Sequence, residues 1–273
     1  MYLKDFVYNG ERLSDYNLMV CNFDGSNDTV DIGNNITINK VKSPNSYKYM
    51  STGHSYDDAF ITTFQVCKIS CKDNVDSVIK EDELNRIIRW LNRKRFCKFK
   101  PIYDRHEFSD VYYNASFNIQ IIKFGKDVVG LELTLNTDAP FGYIEPVEYH
   151  HEFIAENDEF VVFDYSDEVG FLYCDATITC LESGDLRISN ELDKNNAVVI
   201  RNCKKGEVIQ LYGSQKVIKN SDDSDHRTLY NDFNYNFLRV VNSYENNENV
   251  FRSNLKCKLT MKYSPIRKAG IVV

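Results

Sequence analysis

Histidines and closely spaced carboxylates are the side chains of this chain that could support acid–base or metal chemistry. The histidines are His54, His106, His150, His151 and His226. His150 and His151 are adjacent, and neighbouring side chains of an extended chain point to opposite sides, so the two do not converge on one metal ion. We interpret this pair as part of a linker between two domains rather than as a metal site.

The most suggestive carboxylate cluster lies in residues 220–226, which read NSDDSDH. Asp222, Asp223 and Asp225 carry the hard oxygen ligands that calcium prefers. A calcium loop of the EF-hand type also needs a glycine at its turn and a glutamate after it, and this segment has neither. We interpret the segment as a solvated loop.

A second carboxylate pair, Asp164 and Asp167, has the residue types that a glycosidase uses. Nothing in the sequence places the two in a cleft, and such pairs are common in an acidic chain. No GxSxG, HExxH, phosphate-loop or GxGxxG pattern occurs. The sequence therefore predicts no catalytic, cofactor-binding or metal-binding residues, no cofactor and no enzymatic activity.

The cysteines are spread through apparent strands without any CxxC pair. They are Cys21, Cys67, Cys71, Cys97, Cys174, Cys180, Cys203 and Cys257. Disulfide scaffolds are usually short and secreted, and zinc sites usually show close pairs. We expect buried free thiols rather than a disulfide framework or a metal site, with Cys67 and Cys71 pointing into a core.

The formal net charge of −7 argues against a dedicated nucleic-acid binder, because phosphate contacts need a concentrated cationic face. The N-terminus, MYLKDFVYNGERL, lacks a cationic start followed by a long apolar core. We therefore expect no sequence-specific binding of nucleic acid, no signal peptide, no membrane insertion, and folding in a cytoplasm.

Alternation of apolar and polar residues predicts a chain built almost entirely from β-strands. In residues 255–263, Leu, Cys, Leu, Met and Tyr alternate with Lys and Thr until Pro265 ends the run. Residues 113–121 and 129–135 alternate in the same way and flank Gly125, which predicts a hairpin. The abundance of Tyr, Phe, Val, Ile and Thr supports the same class.

A polar stretch follows a second predicted hairpin, in which Val30 and Ile32 face Ile36 and Ile38 across a Gly-Asn-Asn turn. Residues 43–58 are rich in Tyr, Ser, Asn and Lys and show little apolar periodicity. They form either a long loop or an extended arm. Such a segment inside a compact domain usually serves an external contact.

One segment, EDELNRIIRWLNRKRF, predicts a helix. Its apolar stripe consists of Leu84, Ile87, Ile88 and Leu91. Acidic residues at its start and basic residues at its end complement the helix dipole. The only Trp of the chain, Trp90, flanks the stripe, and we expect it in the core rather than on a ligand platform.

Pro140, Gly142 and Pro146 interrupt the strand pattern and indicate a domain boundary, so we predict domains at 1–143 and 144–273. In the second domain, short strands are separated by turns every eight to twelve residues or so, which is typical of a β-sandwich.

The ordered set of these segments resembles the distal tail proteins of long-tailed bacteriophages. In the first half the likeness is carried by YNGERLSDYNLMVCNFDG, FQVCKIS, DELNRIIRWLNRKRF and NTDAPFG. In the second half it is carried by AVVIRNCKKGEVIQLYGSQKVI, NDFNYNFLRVV and MKYSPIRKAG. Together these segments cover most of the chain in the expected order.

The resemblance implies an all-β fold with an N-terminal β-sandwich-like domain, which carries one α-helix and a projecting hairpin arm, and a C-terminal galectin-like β-sandwich. It implies a homohexameric ring at the virion tail tip, with a central passage for DNA. The implied partners are the tail tube protein, a tail-associated hub or fibre protein, and receptor-binding proteins. In that picture residues 47–58 form the arm between subunits.

Two other functions stay open from the residues. One is a carbohydrate-binding host-adhesion module of the tail tip, although the second half has no Trp to serve as a sugar platform. The other is a hydrolase with a β-sandwich accessory domain, which requires a carboxylate pair in a pocket.

Overall fold

The computed structural model describes residues 3–21, 36–56, 59–69, 77–104, 110–155, 158–221 and 226–269. The chain divides into two compact units: unit 1 is Met1–Ile144 with Arg267–Val273, and unit 2 is Glu145–Ile266. Among the described residues, no helix is long and apolar enough to cross a membrane.

The described residues of unit 1 form strands and one α-helix. Its elements are β1 (Leu3–Tyr8), β2 (Glu11–Arg12), β3 (Leu18–Cys21), β4 (Ile36–Lys42), β5 (Tyr49–Tyr56), β6 (Ile61–Lys68), α1 (Glu81–Leu91), β7 (Cys97–Tyr103), β8 (Val111–Phe124), β9 (Asp127–Thr137) and β10 (Gly142–Ile144). The hairpin predicted around Gly125 is confirmed as β8 and β9, which pair from Phe124 opposite Asp127.

The body of unit 1 is an antiparallel sheet with the strand order β2-β1-β7-β8-β9-β6-β3. In a flat sheet, β1 and β6 would lie about 19 Å apart, since four strand spacings separate them. The rings of Phe6 on β1 and Phe64 on β6 nevertheless have centroids only 5.8 Å apart. The sheet therefore curls strongly, and opposing parts of its inner face enclose one core in the manner of a sandwich.

Helix α1 covers this core with Ile87, Trp90 and Leu91, which are buried. The predicted helix is confirmed, and so is the expectation that Trp90 is a core residue. The buried stripe differs from the predicted one, because Ile88 is 37% exposed and Trp90 takes its place against the sheet.

Cys67 on β6 is half-buried and alternates with the core residues Phe64 and Val66. Because alternate residues of a strand point to opposite faces, its thiol faces away from the core. The prediction that Cys67 points into the core is wrong, and Cys71 lies outside the described residues.

Unit 2 begins directly after β10. Its elements are β11 (Val147–Phe153), β12 (Glu159–Phe163), β13 (Gly170–Tyr173), β14 (Asp175–Cys180), β15 (Gly184–Asn190), β16 (Val198–Cys203), β17 (Val208–Tyr212), β18 (Val217–Asn220), α2 (Leu229–Asp232), β19 (Arg239–Asn242), β20 (Glu248–Ser253) and β21 (Cys257–Tyr263), followed by β22 (Ile266–Arg267).

Two sheets face each other in unit 2, with the orders β11-β21-β14-β17-β18 and β12-β20-β15-β16, and β13 pairs with β19. Ile178 and Leu259 of the first sheet belong to the same buried cluster as Leu186 and Phe251 of the second. This is the β-sandwich that the short strands predicted. The alternating segment at residues 255–263 is confirmed as an interior strand, because β21 lies between β11 and β14.

The end of the chain, Arg267–Val273, groups with unit 1, whereas the predicted second domain extends to residue 273. There the hydroxyl of Tyr113 on β8 donates a hydrogen bond to the carbonyl of Ala269 at 2.6 Å. Burial raises the pKa of Tyr113 far above its usual value, so the hydroxyl keeps its proton and remains a donor.

Candidate assembly surface

The hairpin of β4 and β5, called the arm below, contributes no residue to the buried clusters. Among the described strands, β4 and β5 pair only with each other, from Ile36 opposite Tyr56 to Lys42 opposite Tyr49. No residue of either strand is buried. Of residues 43–58, predicted as a loop or an arm, residues 43–56 therefore supply the turn and second strand of a hairpin. The partners predicted for Ile36 and Ile38, Val30 and Ile32, lie outside the described residues.

Apolar side chains lie on both faces of the arm. Ile36 and Ile38 share one face, whereas Val41 lies on the other, because its position along β4 differs from theirs by an odd number. A register shift between Asn39 and Lys40 places Val41 opposite Met50. Each of these four apolar side chains is 47–56% exposed.

The turn of the arm is ordered by local hydrogen bonds. The Ser46 amide donates to the Ser43 carbonyl at 3.1 Å, and the Ser46 hydroxyl donates to the Lys48 carbonyl at 3.0 Å. Asn45 takes the left-handed conformation, with φ of 65°, which asparagine tolerates better than most residues. Tyr47 at the tip is fully exposed.

An aromatic contact lies at the base of the arm, where Tyr56 meets Phe141 edge to face at 5.8 Å between ring centroids. An isolated two-stranded hairpin is only marginally stable in water, and contiguous exposed apolar surface usually marks an interface. The arm therefore has the properties of a segment that is stabilised by a second molecule.

The residues singled out for chemistry lie elsewhere and do not converge. His150 is exposed and its Nδ1 lies 3.0 Å from the Thr260 hydroxyl, whereas His151 stacks on Phe160 at 5.1 Å. The prediction that the two histidine side chains point to opposite sides of the strand is confirmed. Their interpretation as a linker is wrong, because both lie within β11, where His151 stands opposite Leu259.

Asp164 and Asp167 differ in environment. Asp164 is buried and accepts a hydrogen bond from the Ser166 hydroxyl at 2.9 Å, whereas Asp167 is exposed. Asp222, Asp223 and Asp225 lie outside the described residues, as does His106. Across the ranges that the structure describes, no group of three or more His, Cys, Asp or Glu side chains is arranged to hold a metal ion.

Sequence reasoning missed one buried polar cluster, in unit 2. His226 is buried, with Nδ1 2.9 Å from Oε1 of Glu207 and Nε2 3.1 Å from Oδ2 of Asp232. Hydrogen bonds from Thr228 and from His226 lower the pKa of Asp232. The three side chains connect the turn before β17 to α2, and their irregular spacing carries no periodic signal that a sequence could reveal.

Replacing His226 with alanine is expected to destabilise the protein by about 2–4 kcal/mol, because the buried carboxylate of Glu207 loses its hydrogen bond with Nδ1 of His226. Chemical denaturation followed by circular dichroism measures the change. His150→Ala is the matched control: its side chain is 68% exposed, so we expect a change within about 0.5 kcal/mol. Equal midpoints for the two variants would contradict a stabilising role for the buried cluster.

A shallow depression of about 220 Å³ lies on the outer face of the five-stranded sheet. It is lined by Glu148, Asp175, Ala176, Thr177, Gln210, Leu211, Tyr212, Thr260 and Lys262. Tyr212 is its only aromatic side chain; its hydroxyl donates to Gln210, and Lys219 lies over its ring at 5.4 Å. The depression therefore offers no open aromatic platform for a sugar ring.

Comparison with known proteins agrees with an assembly role. A model described as the phage tail protein N-terminal domain matches residues 1–139, and one described as the phage tail C-terminal domain matches residues 141–263. Curated proteins give no match.

Two solved structures share the fold. The Dit protein of phage SPP1, described as a paradigm of the hub adsorption apparatus in phages that infect Gram-positive bacteria, superimposes with a TM-score of 0.63 at 10% identity, over 96% of this chain and 99% of that chain. A chain of the phage p2 baseplate in its activated conformation with strontium gives 0.53 at 8% identity, over 96% and 97%.

The described residues combine two β units with an exposed apolar arm, which fits a protein that acts through contacts with other molecules. The chain belongs to the phage tail protein family, since the two domain models together match nearly all of it. It is a structural component of a phage tail and not an enzyme, and its predicted resemblance to the distal tail proteins is confirmed at the level of the fold.

Proposed function

We propose that this chain is a distal tail protein whose six copies form a ring at the virion tail tip. The ring connects the tail tube protein to the baseplate or tail-tip proteins, namely a hub or fibre protein and receptor-binding proteins, and leaves a central passage for DNA. Assembly takes place in the host cytoplasm. Residues 1–143 form the ring, and the second domain is galectin-like.

The arm is the observation that carries this proposal. A closed six-fold ring requires heterologous contacts, in which one surface of a protomer meets a different surface of its neighbour. An arm with apolar side chains on both faces supplies one half of such a contact, because it can lie on a neighbouring subunit and still present its second face to another partner. The family membership supplies the context of a tail.

The solution mass of the purified chain tests the ring. We expect light scattering to give about 191 kDa, which is six times the chain mass of 31.8 kDa, or a multiple of it for stacked rings. Negative-stain images of the same peak are expected to show rings with a central hole. A monomer that stays monomeric at high concentration and in the presence of its tail tube protein would contradict the proposal.

A further inference from the structure

Three buried thiols lie together at one end of the sandwich core of unit 2. Cys180 ends β14 and stands directly opposite Cys257, the first residue of β21 in the same sheet. Cys203 ends β16 in the facing sheet. Each of the three residues is at most 2% exposed, and all are free thiols, as predicted for this chain.

Backbone hydrogen bonds hold Cys180 against the turn that follows Cys203. The Cys180 amide donates to the Glu207 carbonyl at 2.9 Å, and the Gly206 amide donates to the Cys180 carbonyl at 2.8 Å. Cys203 itself stands opposite Gly184, four residues after Cys180. The main-chain hydrogen bonds of Cys180 and the strand pairing of Cys203 therefore hold the two residues close together.

The side chains complete this arrangement: the Cys203 thiol donates a hydrogen bond to the Ile200 carbonyl at 3.4 Å, and the Cys180 thiol lies beside the Cys203 sulfur and interacts with it electrostatically. The interaction with Cys180 lowers the pKa of Cys203, whereas burial raises the pKa of Cys257 to about 11. A thiolate is the reactive form of cysteine, so Cys203 is the member of the cluster best prepared to react with an oxidant.

We propose that Cys180 and Cys203 form a disulfide between the two sheets of unit 2 when the protein meets a peroxide. The thiolate of Cys203 attacks one peroxide oxygen, the O–O bond breaks, and the hydroxide that leaves takes up a proton to become water. The Cys180 sulfur, after losing its proton, then attacks the sulfenic sulfur of Cys203 and displaces a second hydroxide, which also becomes water. Two thiols are oxidised and one hydrogen peroxide is reduced to two waters.

The disulfide would link β14 covalently to β16 across the core. Because it restricts the conformations of the unfolded chain between the two cysteines, it is expected to raise the melting temperature by about 5 °C. The chemistry is a property of unit 2 alone and does not depend on ring formation. Its outcome is therefore independent of the proposed function.

The test uses the full chain, reduced, desalted and then incubated with hydrogen peroxide a few degrees below its melting temperature, so that local opening admits the oxidant. Remaining thiols are blocked with N-ethylmaleimide before digestion without reductant. We expect mass spectrometry to show a peptide pair linked through Cys180 and Cys203, a raised melting temperature, and reversal of both by dithiothreitol.

Three variants separate this pair from the other thiols. Cys180→Ser and Cys203→Ser are each expected to abolish the link and the thermal shift, with circular dichroism of the reduced proteins confirming the fold. Cys174→Ser is the matched control, since Cys174 is equally buried but precedes β14 at the end opposite to Cys180, away from the cluster of three thiols, and it should keep both. A link through Cys257, or oxidation of Cys203 to sulfinic acid without any link, would overturn the proposal.

Discussion

Trp90→Ala is expected to destabilise unit 1 by about 3–5 kcal/mol, a large part of the stability of a typical domain. The Trp90 ring stacks on Tyr16 at 4.4 Å with an interplanar angle of 6°, and on Phe6 at 5.7 Å with an angle of 10°. Its indole Nε1 donates a hydrogen bond to the Tyr8 carbonyl at 2.8 Å. The substitution leaves a cavity between α1 and the sheet and a buried carbonyl without its indole donor.

Two further variants of the same helix provide a scale for the loss of stability expected from Trp90→Ala. Ile88→Ala removes an apolar side chain that is 37% exposed, so we expect a loss below about 1 kcal/mol. Trp90→Phe keeps an aromatic ring but loses the hydrogen bond to Tyr8, and we expect an intermediate loss. Urea unfolding followed by far-ultraviolet circular dichroism measures all three, because Trp90 is the only tryptophan and its fluorescence disappears with it. Similar midpoints for Trp90→Ala and Ile88→Ala would refute a central packing role.

The difference between Trp90 and Ile88 shows where periodicity stops being informative. Helical spacing identified the helix correctly, since its apolar residues recur on one side. Helical spacing alone does not determine which edge of that stripe faces the sheet, because the burial of Trp90 depends on its contacts with Phe6 and Tyr16, which are distant in sequence. A large ring fills the space that the curled sheet leaves, and Ile88 is moved towards solvent.

The alternation of apolar and polar residues predicted strands correctly where one face of the strand is buried and the other is exposed to solvent. The segment that became β21 shows this, with Cys257, Leu259, Met261 and Tyr263 all buried. The same criterion fails for β5, where both faces are exposed and the register shift beside Asn39 interrupts the alternation. A segment whose apolar partners belong to another molecule carries no signature of a monomer core.

The polar clusters were beyond sequence reasoning for a different reason. His226, Glu207 and Asp232 come together only because the turn before β17 packs beside α2. The pairing of Cys180 with Cys203 likewise depends on how two sheets face each other. Such contacts arise from tertiary topology and leave no spacing rule in the chain.

Charging the arm is expected to abolish the ring while leaving the subunit folded. Ile38→Asp and Val41→Asp together place a carboxylate on each face of the arm, where a bound neighbour would have to desolvate it. Both positions are about half exposed in the single chain, so the stability of the subunit should change by no more than about 1 kcal/mol. Light scattering is expected to show the mass fall from that of the ring to 31.8 kDa.

The double variant Ile38→Val and Val41→Ile is the matched control, because it changes the same two positions and keeps both side chains apolar, and it should retain the ring. The single variants Ile38→Asp and Val41→Asp test whether both faces of the arm contact a neighbouring subunit in the ring. If each alone dissociates the ring, the arm is enclosed between two surfaces; if only one does, the other face is left for a different tail protein.

Deleting residues 46–57 removes the turn and the second strand of the arm and tests the same contact without introducing charge. The structure predicts a folded subunit, since none of the removed residues that it describes belongs to the buried core of unit 1. The expected product is a monomer with the circular dichroism spectrum and melting temperature of the parent chain. Intact rings from this variant would mean that the sheet itself, rather than the arm, carries the contact between subunits, and the apolar side chains of the arm would then have to be assigned to a partner outside the ring.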